Sequence, residues 1–117
     1  MNHITLHGKV VKKAKTVLVT VNNKPDTVTV FTVVDIGLPY KRMNPVFIQV
    51  NYRKDAASLI DKYLVENKEV LIEGRLCQRY RKSPDGQKTS QDYLEAENVM
   101  LLPQFSGNEQ GEQADDQ

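Results

Sequence analysis

Residues 55–76 read DAASLIDKYLVENKEVLIEGRL and place a helical pattern directly before a strand pattern. The apolar side chains of the first half recur at the spacing of an amphipathic helix. They are Ala56, Leu59, Ile60, Tyr63 and Leu64. Asp55 is placed to cap or charge the first turn, and Asn67 to follow the last one. From Glu69 onward apolar and polar residues alternate, so the stretch predicts one helix followed by one strand.

Strand patterns continue on both sides of this stretch. Alternating or β-branched runs predict strands near residues 4–10, 16–21, 27–36, 46–52, 69–80 and 92–101. Gly8 interrupts the first strand, which indicates a bulge or a sharp bend. Residues 22–26 and 83–86 carry Asn, Pro, Asp and Gly, which predict turns.

The order of these elements favours one fold class. A long bent first strand, a helix between the third and fourth main strands and a closing hairpin are typical of a five-stranded OB barrel, an all-β fold with one helix. Small SH3-like barrels lack a helix of four turns at this point and rank second. The barrel domain is predicted to span residues 1–103. Residues 104–117, rich in Gln and acidic residues, are predicted to form a disordered tail.

Length and charge narrow the class of protein. A chain of 117 residues is one domain, and its short apolar runs span no membrane. No secretory signal pattern opens the chain, so a cytoplasmic location is expected. All 16 Lys and Arg, but only 11 of the 15 Asp and Glu, lie in residues 1–103, which therefore carry +5. The tail carries −4. A basic body with an acidic appendage favours a polyanionic partner, although +5 is not extreme.

Three short clusters place a tyrosine beside two or three basic residues. They are Tyr40-Lys41-Arg42, Tyr52-Arg53-Lys54 and Arg79-Tyr80-Arg81-Lys82. An unstacked base needs an aromatic surface and its phosphate needs a cation, so the clusters favour single-stranded nucleic acid over duplex. Tyrosine beside a basic residue is also common on ordinary strands. Only the threefold recurrence raises these residues to candidate DNA contacts.

Further lysines fit the same surface. Lys12, Lys13 and Lys15 follow the first strand, and Lys82 and Lys88 flank the turn at residues 83–86. In an OB barrel these two loops border the oligonucleotide groove. Lysines in loops also serve solubility alone, so this observation supports the binding surface without establishing it.

Catalytic and metal-binding patterns are weak. His3 and His7 share one strand face, but a metal site needs a third ligand, and no Cys or carboxylate adjoins them in sequence. The single cysteine, Cys77, excludes an internal disulfide and is expected to be a buried structural thiol. Neither a glycine-flanked serine nor a glycine-rich phosphate loop occurs. The sequence therefore predicts a binding protein with no enzyme activity, metal or cofactor.

Several motifs in order resemble the bacterial single-stranded DNA-binding proteins of replication, recombination and repair. The chain opens with Asn2-His3-Ile4-Thr5-Leu6-His7-Gly8 and continues with Tyr52-Arg53-Lys54-Asp55-Ala56 at the start of the helix. The most specific stretch is Val70-Leu71-Ile72-Glu73-Gly74-Arg75-Leu76 with Arg79. The turn Asp85-Gly86-Gln87-Lys88 and the closing run Leu94-Glu95-Ala96-Glu97-Asn98-Val99 complete a resemblance over residues 1–102.

The resemblance implies an OB fold, a homotetramer with a dimer as the fallback, and single-stranded DNA held by base stacking and backbone contacts. It places Tyr52 at a stacking position and Tyr80 at or next to another. The sequence departs from the family in having no Trp and in a tail that ends Asp115-Asp116-Gln117, without the hydrophobic tip that docks replication and repair proteins. A specialised paralogue of a phage or mobile element would fit these departures.

Two alternatives remain open at this stage. A primosome-type accessory protein of the same fold would bind both single-stranded DNA and a replication enzyme. A protein-interaction OB module would bind peptides, and its basic patches would be incidental. Selective binding of single strands over duplex separates the DNA-binding functions from the interaction module.

Overall fold

The computed structural model describes residues 1–36 and 44–103. Strands account for most of this part of the chain, with one short helical segment between the fourth and fifth of them. The elements are β1 Ile4–Val10, β2 Lys15–Val21, β3 Lys24–Asp35, β4 Phe47–Tyr52, α1 Ala56–Ile60, a 3-10 turn Asp61–Tyr63, β5 Glu69–Lys82 and β6 Lys88–Leu101.

Five of the strands close into a barrel. The hydrogen-bonded order is β1-β5-β6-β4-β3, and the end of β3 pairs again with β1. The β4–β6 pair is parallel and the others are antiparallel. Strand β2 extends the sheet beyond β3. This is the predicted OB barrel, and residues 11–14 separate β1 from β2 close to where the sequence pattern placed the end of the first strand.

Gly8 lies where β1 passes between two neighbours. It is opposite Asp35 of β3 and Val70 of β5. A Cβ atom at this position would lie 2.9 Å from the carbonyl oxygen of Val34, so only glycine permits the close approach of the two backbones. The strand runs through Gly8 without a break. The register of β1 with β5 is continuous from Ile4 to Lys9, so the bulge predicted at Gly8 was wrong, and the register shift of this sheet lies between Glu73 and Gly74 of β5.

The barrel core consists of the inward side chains of the five strands. Burying a large apolar side chain of this kind stabilises the fold by about 1.5–3 kcal/mol. The core includes Val10, Phe31, Val33, Val50, Val70, Ile72 and Leu94. Ala57 of α1 and the fully buried Leu64 belong to the same cluster. Backbone hydrogen bonds join this helical side to the end of β1, from Ala14 to Leu64 and from Asn67 to Val10.

The helical segment is shorter than its pattern predicted. The α-helix ends at Ile60, and the 3-10 turn carries the chain to Tyr63. Leu59 is 71% exposed and Tyr63 is 50% exposed, so the predicted apolar stripe is only partly buried. Asp55 makes no side-chain capping hydrogen bond. A helix of two turns or fewer can turn only a small part of its surface towards the core, and Ala57 and Leu64 occupy that part.

The turn between β2 and β3 is tighter than predicted. It has two residues, Asn22 and Asn23, with positive φ angles of 52° and 64°. Asparagine tolerates this left-handed conformation, and two such residues in a row match the type I′ geometry of a tight hairpin. Strand β3 consequently begins at Lys24 rather than at residue 27.

The side chain of Asn2 extends the pairing of β1 beyond its first residue. Its amide nitrogen donates to the carbonyl oxygen of Leu76 at 2.8 Å, and its amide oxygen accepts from the Leu76 N–H at 2.9 Å. The two bonds reproduce the pattern of a strand pair and hold the start of the chain against β5.

Within residues 1–36 and 44–103, no helix has the length and apolar character that crossing a bilayer requires.

Candidate nucleic-acid interface

The side chains that point away from the core on β3, β4, β6 and β5 form a continuous surface, the outer face. The register sets its rows: Thr32 lies opposite Gln49, Gln49 opposite Tyr93, and Tyr93 opposite Cys77. Neighbouring rows bring in Val34 with Phe47, Asn51 with Glu95, and Gln91 with Arg79. Because strand side chains alternate, these residues are the ones that the core does not use.

An aromatic ring and a cation meet on this face. The guanidinium of Arg79 lies 5.0 Å from the centroid of the Tyr93 ring, within the range of a cation–π interaction. Arg81 follows on the same side of β5, two residues closer to the hairpin tip. The outer face thus offers a partly exposed ring with one positive charge over it and a second positive charge further towards the hairpin tip.

Phe47 adds a second aromatic ring to the outer face. It opens β4, and 61% of its surface is exposed to solvent. An exposed phenylalanine is costly in water unless a ligand or partner covers it. Phe47 lies opposite Val34, and its strand β4 is the neighbour of the strand that carries Tyr93. Both rings are therefore on the same surface of the sheet.

Side-chain amides fix the centre of the outer face. Gln91 Nε2 donates to Gln49 Oε1 at 3.1 Å, and Gln49 Nε2 donates to Asn51 Oδ1 at 3.0 Å. Beside them, Arg53 Nε donates to Glu95 Oε2 at 2.9 Å. These bonds hold the polar groups of β4 and β6 in register beside Tyr93.

The predicted stacking position at Tyr52 was wrong. Its ring is 3% exposed and belongs to the core cluster, opposite Thr29 of β3 and Ala96 of β6. Alternation on β4 turns Val50 and Tyr52 into the core and Asn51 to the other side of the strand, where it is also buried. Arg53, the next residue, faces outwards, but its charge is paired with Glu95.

Alternation also divides the cluster at residues 79–82. Arg79 and Arg81 lie on the outer face, whereas Tyr80 and Lys82 lie on the opposite face of the β5–β6 hairpin. Tyr80 is 72% exposed, and its hydroxyl donates to Gln78 Oε1 at 2.6 Å. At the hairpin tip Lys82 and Lys88 are directly opposite. They line a cavity of about 380 Å³ together with Tyr80 and Arg81.

The lysines after β1 lie at the other border of the outer face. Lys12, Lys13 and Lys15 line a cavity of about 210 Å³ together with Val30, Phe31 and Thr32 of β3. Val30 and Thr32 belong to the outer face, so the lysines extend it with positive charge. The three lysines therefore lie together beside the outer face.

Another predicted contact, Lys54, lies away from the outer face. Lys54 is exposed and lines a polar cavity of about 130 Å³ between α1 and the β2–β3 hairpin, together with Asp26, Asp55 and Asp61. The cluster Tyr40-Lys41-Arg42 lies outside the described residues.

The turn at the tip of the β5–β6 hairpin is held by Asp85. Its carboxylate accepts hydrogen bonds from the Ser83 hydroxyl and from the Gln87 N–H. These bonds favour the ionised form, the Ser83 bond most of all, and lower the pKa of Asp85 below its ordinary value of 3.8. Gly86 completes the turn with a φ of 89°.

The histidines pair with carboxylates of β5. His7 Nε2 lies 3.1 Å from Glu69 Oε1, and His3 Nε2 lies 3.8 Å from Glu73 Oε2. The part of the chain that the structure describes holds no group of three or more His, Cys, Asp or Glu side chains arranged to bind a metal ion. Cys77 is half-buried on the outer face, not in the core as predicted.

Comparison with protein families identifies the fold's relatives. The model of the single-strand binding protein family matches residues 1–102. The chain belongs to this family. Among solved structures, the chain is similar to a Plasmodium falciparum SSB in complex with ssDNA, with a TM-score of 0.73 and 19% sequence identity. The match covers 88% of this chain and 96% of that one, and at this identity it shows a shared fold.

Sequence reasoning missed Phe47 and Tyr93. Both stand alone among polar or aliphatic neighbours, outside any basic cluster, so no pairing of an aromatic residue with a lysine or arginine marks them in the sequence. The signal was in the strand pattern. Leu94 and Ala96 alternate as inward residues of β6, which turns Tyr93 outwards. Ile48 and Val50 do the same for Phe47 on β4.

Proposed function

We propose that this member of the single-strand binding protein family binds and protects single-stranded DNA with little sequence selection, without catalysing a reaction. The observation that carries the proposal is the outer face, where the exposed ring of Phe47 and the Arg79–Tyr93 pair share one sheet surface. The family match over residues 1–102 supports the same ligand.

The chemistry of the outer face suits an unpaired strand. Bases that are not paired expose faces that stack on Tyr93 and Phe47, and every base has such a face, so stacking tolerates any sequence. Arg79 and Arg81 supply positive charge for the phosphates. Lys12, Lys13 and Lys15 extend that charge across β3, and Lys82 and Lys88 extend it at the hairpin tip. Duplex DNA keeps its bases stacked inside, which removes the aromatic contribution.

A homotetramer is the proposed assembly, with a dimer as the second possibility. The edge of β1 supports it. Residues 4–7 pair with β5 on one side, whereas pairing with β3 starts only at Gly8. A strand edge of this kind invites pairing with a second copy, and closed symmetric assemblies are the usual outcome. Light scattering that finds a 13.3 kDa particle at micromolar concentration would contradict the assembly.

The proposed setting is DNA replication, recombination or repair in the cytoplasm. The resemblance of residues 1–102 to the bacterial proteins of these processes supports it. Proteins of these processes protect exposed single strands, and the basic body of this chain provides a general affinity for them.

Titration of fluorescent oligonucleotides tests the function. Full-length protein is titrated against three ligands of the same length: an oligo-dT strand, a single strand of mixed sequence and a duplex. The proposal expects sub-micromolar affinity for both single strands and much weaker binding of duplex. Equal affinity for duplex and single strands, or no binding to either, would contradict it.

A further inference from the structure

We propose that the open end of the barrel receives one unstacked base of the bound strand and selects bases that carry an amino group, cytosine in particular. This inference rests on the proposed binding of single-stranded DNA. It adds a modest base preference to an otherwise sequence-tolerant surface and assigns that preference to Asp92.

The cavity lies at the end of the barrel away from α1. The helical side adjoins β1 at Val10, whereas the cavity opens beside Ile4 and Leu6 at the other end of the same strand. Its volume is about 340 Å³, within the range of small-molecule sites. Ile48, Leu76 and Leu94 line it as well, so most of its wall is apolar and suits the flat faces of a base.

Phe47 connects this cavity with the outer face. The same exposed ring that lies in the row beside Tyr93 also lines the cavity, together with Val46. A strand that stacks a base on the outer face therefore passes the mouth of the cavity. The next base then needs only to turn into the cavity, where its faces contact apolar side chains instead of water.

The polar group that the cavity offers to a base is the carboxylate of Asp92. Among its described lining residues are two carboxylates, Asp35 and Asp92, and no Lys or Arg. An ionised carboxylate only accepts hydrogen bonds, so Asp92 repels the DNA backbone and attracts groups that donate. The amino group of cytosine is such a donor, and aspartate is a known partner for it. Uracil and thymine present a carbonyl oxygen at the same ring position.

A chain of hydrogen bonds positions Asp92. The Tyr80 hydroxyl donates to Gln78 Oε1 at 2.6 Å, and Gln78 Nε2 donates to Asp92 Oδ1 at 3.0 Å. Because Gln78 uses Oδ1, the second carboxylate oxygen is the one assigned to the base. Tyr80 thus contributes to base selection through Gln78, on the face of the hairpin opposite to Arg79.

The test compares two dT oligonucleotides that differ only at regularly spaced positions, which carry dC in one and dU in the other. Neither base has a methyl group, so the pair isolates the amino group from the carbonyl. We expect wild-type protein to bind the dC strand about fivefold more tightly. Asp92→Asn should bring this ratio to about 1, because an amide donates as readily as it accepts.

Glu97→Gln is the matched control, since it removes the same charge from β6 at an exposed position outside the cavity lining. It should raise both affinities and leave the ratio at its wild-type value. A wild-type ratio of 1, a ratio that survives Asp92→Asn, or a ratio that Glu97→Gln also abolishes would each overturn the assignment. Failure of the proposed function itself would look different, because neither oligonucleotide would bind.

Discussion

The guanidinium of Arg79 lies 5.0 Å from the ring centroid of Tyr93, across one diagonal of the β5–β6 ladder. Arg79 is directly opposite Gln91, so the contact with Tyr93 requires the arginine to lean along the hairpin towards the barrel. Such a pair stabilises an exposed surface by about 0.5–1 kcal/mol. More important for binding, it fixes an aromatic ring and a cation together before any ligand arrives.

Arg79→Gln should weaken binding of single-stranded DNA and flatten its salt dependence. If Arg79 neutralises one phosphate, the slope of log affinity against log salt should fall in magnitude by about 0.7. Lys62→Gln is the control, because Lys62 also lies over a tyrosine ring, 5.2 Å from the centroid of Tyr63, but on the helical side. Titrations at several salt concentrations measure both slopes. An unchanged slope for Arg79→Gln, or an equal change for Lys62→Gln, would remove Arg79 from the interface.

Tyr52→Ala should lower the free energy of unfolding. It should not act by weakening DNA binding in a protein that remains folded. The ring is buried in the core, and removal of a large buried side chain typically costs about 3–5 kcal/mol. Tyr63→Ala, which alters a half-exposed ring, should change the free energy of unfolding by much less. Urea denaturation followed by circular dichroism measures both. A Tyr52→Ala variant with wild-type stability would contradict the inward orientation of this residue.

Asn67 should tolerate glycine better than alanine. Its φ of 73° is in the left-handed region, where a residue with an ordinary side chain costs about 1–2 kcal/mol. Its N–H donates to the Val10 carbonyl oxygen at 2.7 Å, a bond that both variants keep. Asn67→Ala should therefore destabilise the protein by about 1 kcal/mol relative to Asn67→Gly. Thermal melting of the two variants measures this difference in stability. Equal melting temperatures would contradict a strained backbone at Asn67.

Asp85→Asn should show an effect on stability that depends on pH. The folded state lowers the pKa of Asp85 below 3.8, so the ionised carboxylate stabilises the fold at pH values above 3.8. As pH falls through 3.8 and then through the lower folded-state pKa, this contribution is lost. Wild type should be the more stable protein at pH 6, and the difference should shrink below about pH 4. A difference that grows towards acid pH would have the wrong sign.

Much of the fold could be predicted because local patterns and topology agree. Alternation located the strands, the spacing of Ala56, Ile60 and Leu64 located the helical segment, and the turn residues at 83–86 located the hairpin. The length of the helix could not be predicted, because only Ala57 and Leu64 found space against the core.

The candidate site was predicted less completely, and the reason is the period of a strand. A shift of one residue exchanges the buried and exposed faces, and only the closed barrel decides between them. Tyr52 and Arg53 are adjacent, yet one is in the core and the other on the outer face. The same alternation separates Tyr80 from Arg79 and Arg81. The basic loops were easier to predict, because lysines at strand ends are exposed on either register.

A paired comparison of two double variants tests the central claim that single-stranded DNA lies on the outer face. Phe47→Ala with Tyr93→Ala removes both rings of that face, and Leu59→Ala with Tyr63→Ala removes two exposed apolar side chains of the helical side. Stacking contributes about 1–3 kcal/mol per base, so the first double variant should bind a mixed-sequence single strand at least about tenfold more weakly while it remains folded. The second should bind as wild type does. Wild-type affinity in the folded Phe47→Ala, Tyr93→Ala protein, or an equal loss in the helical-side variant, would contradict the account.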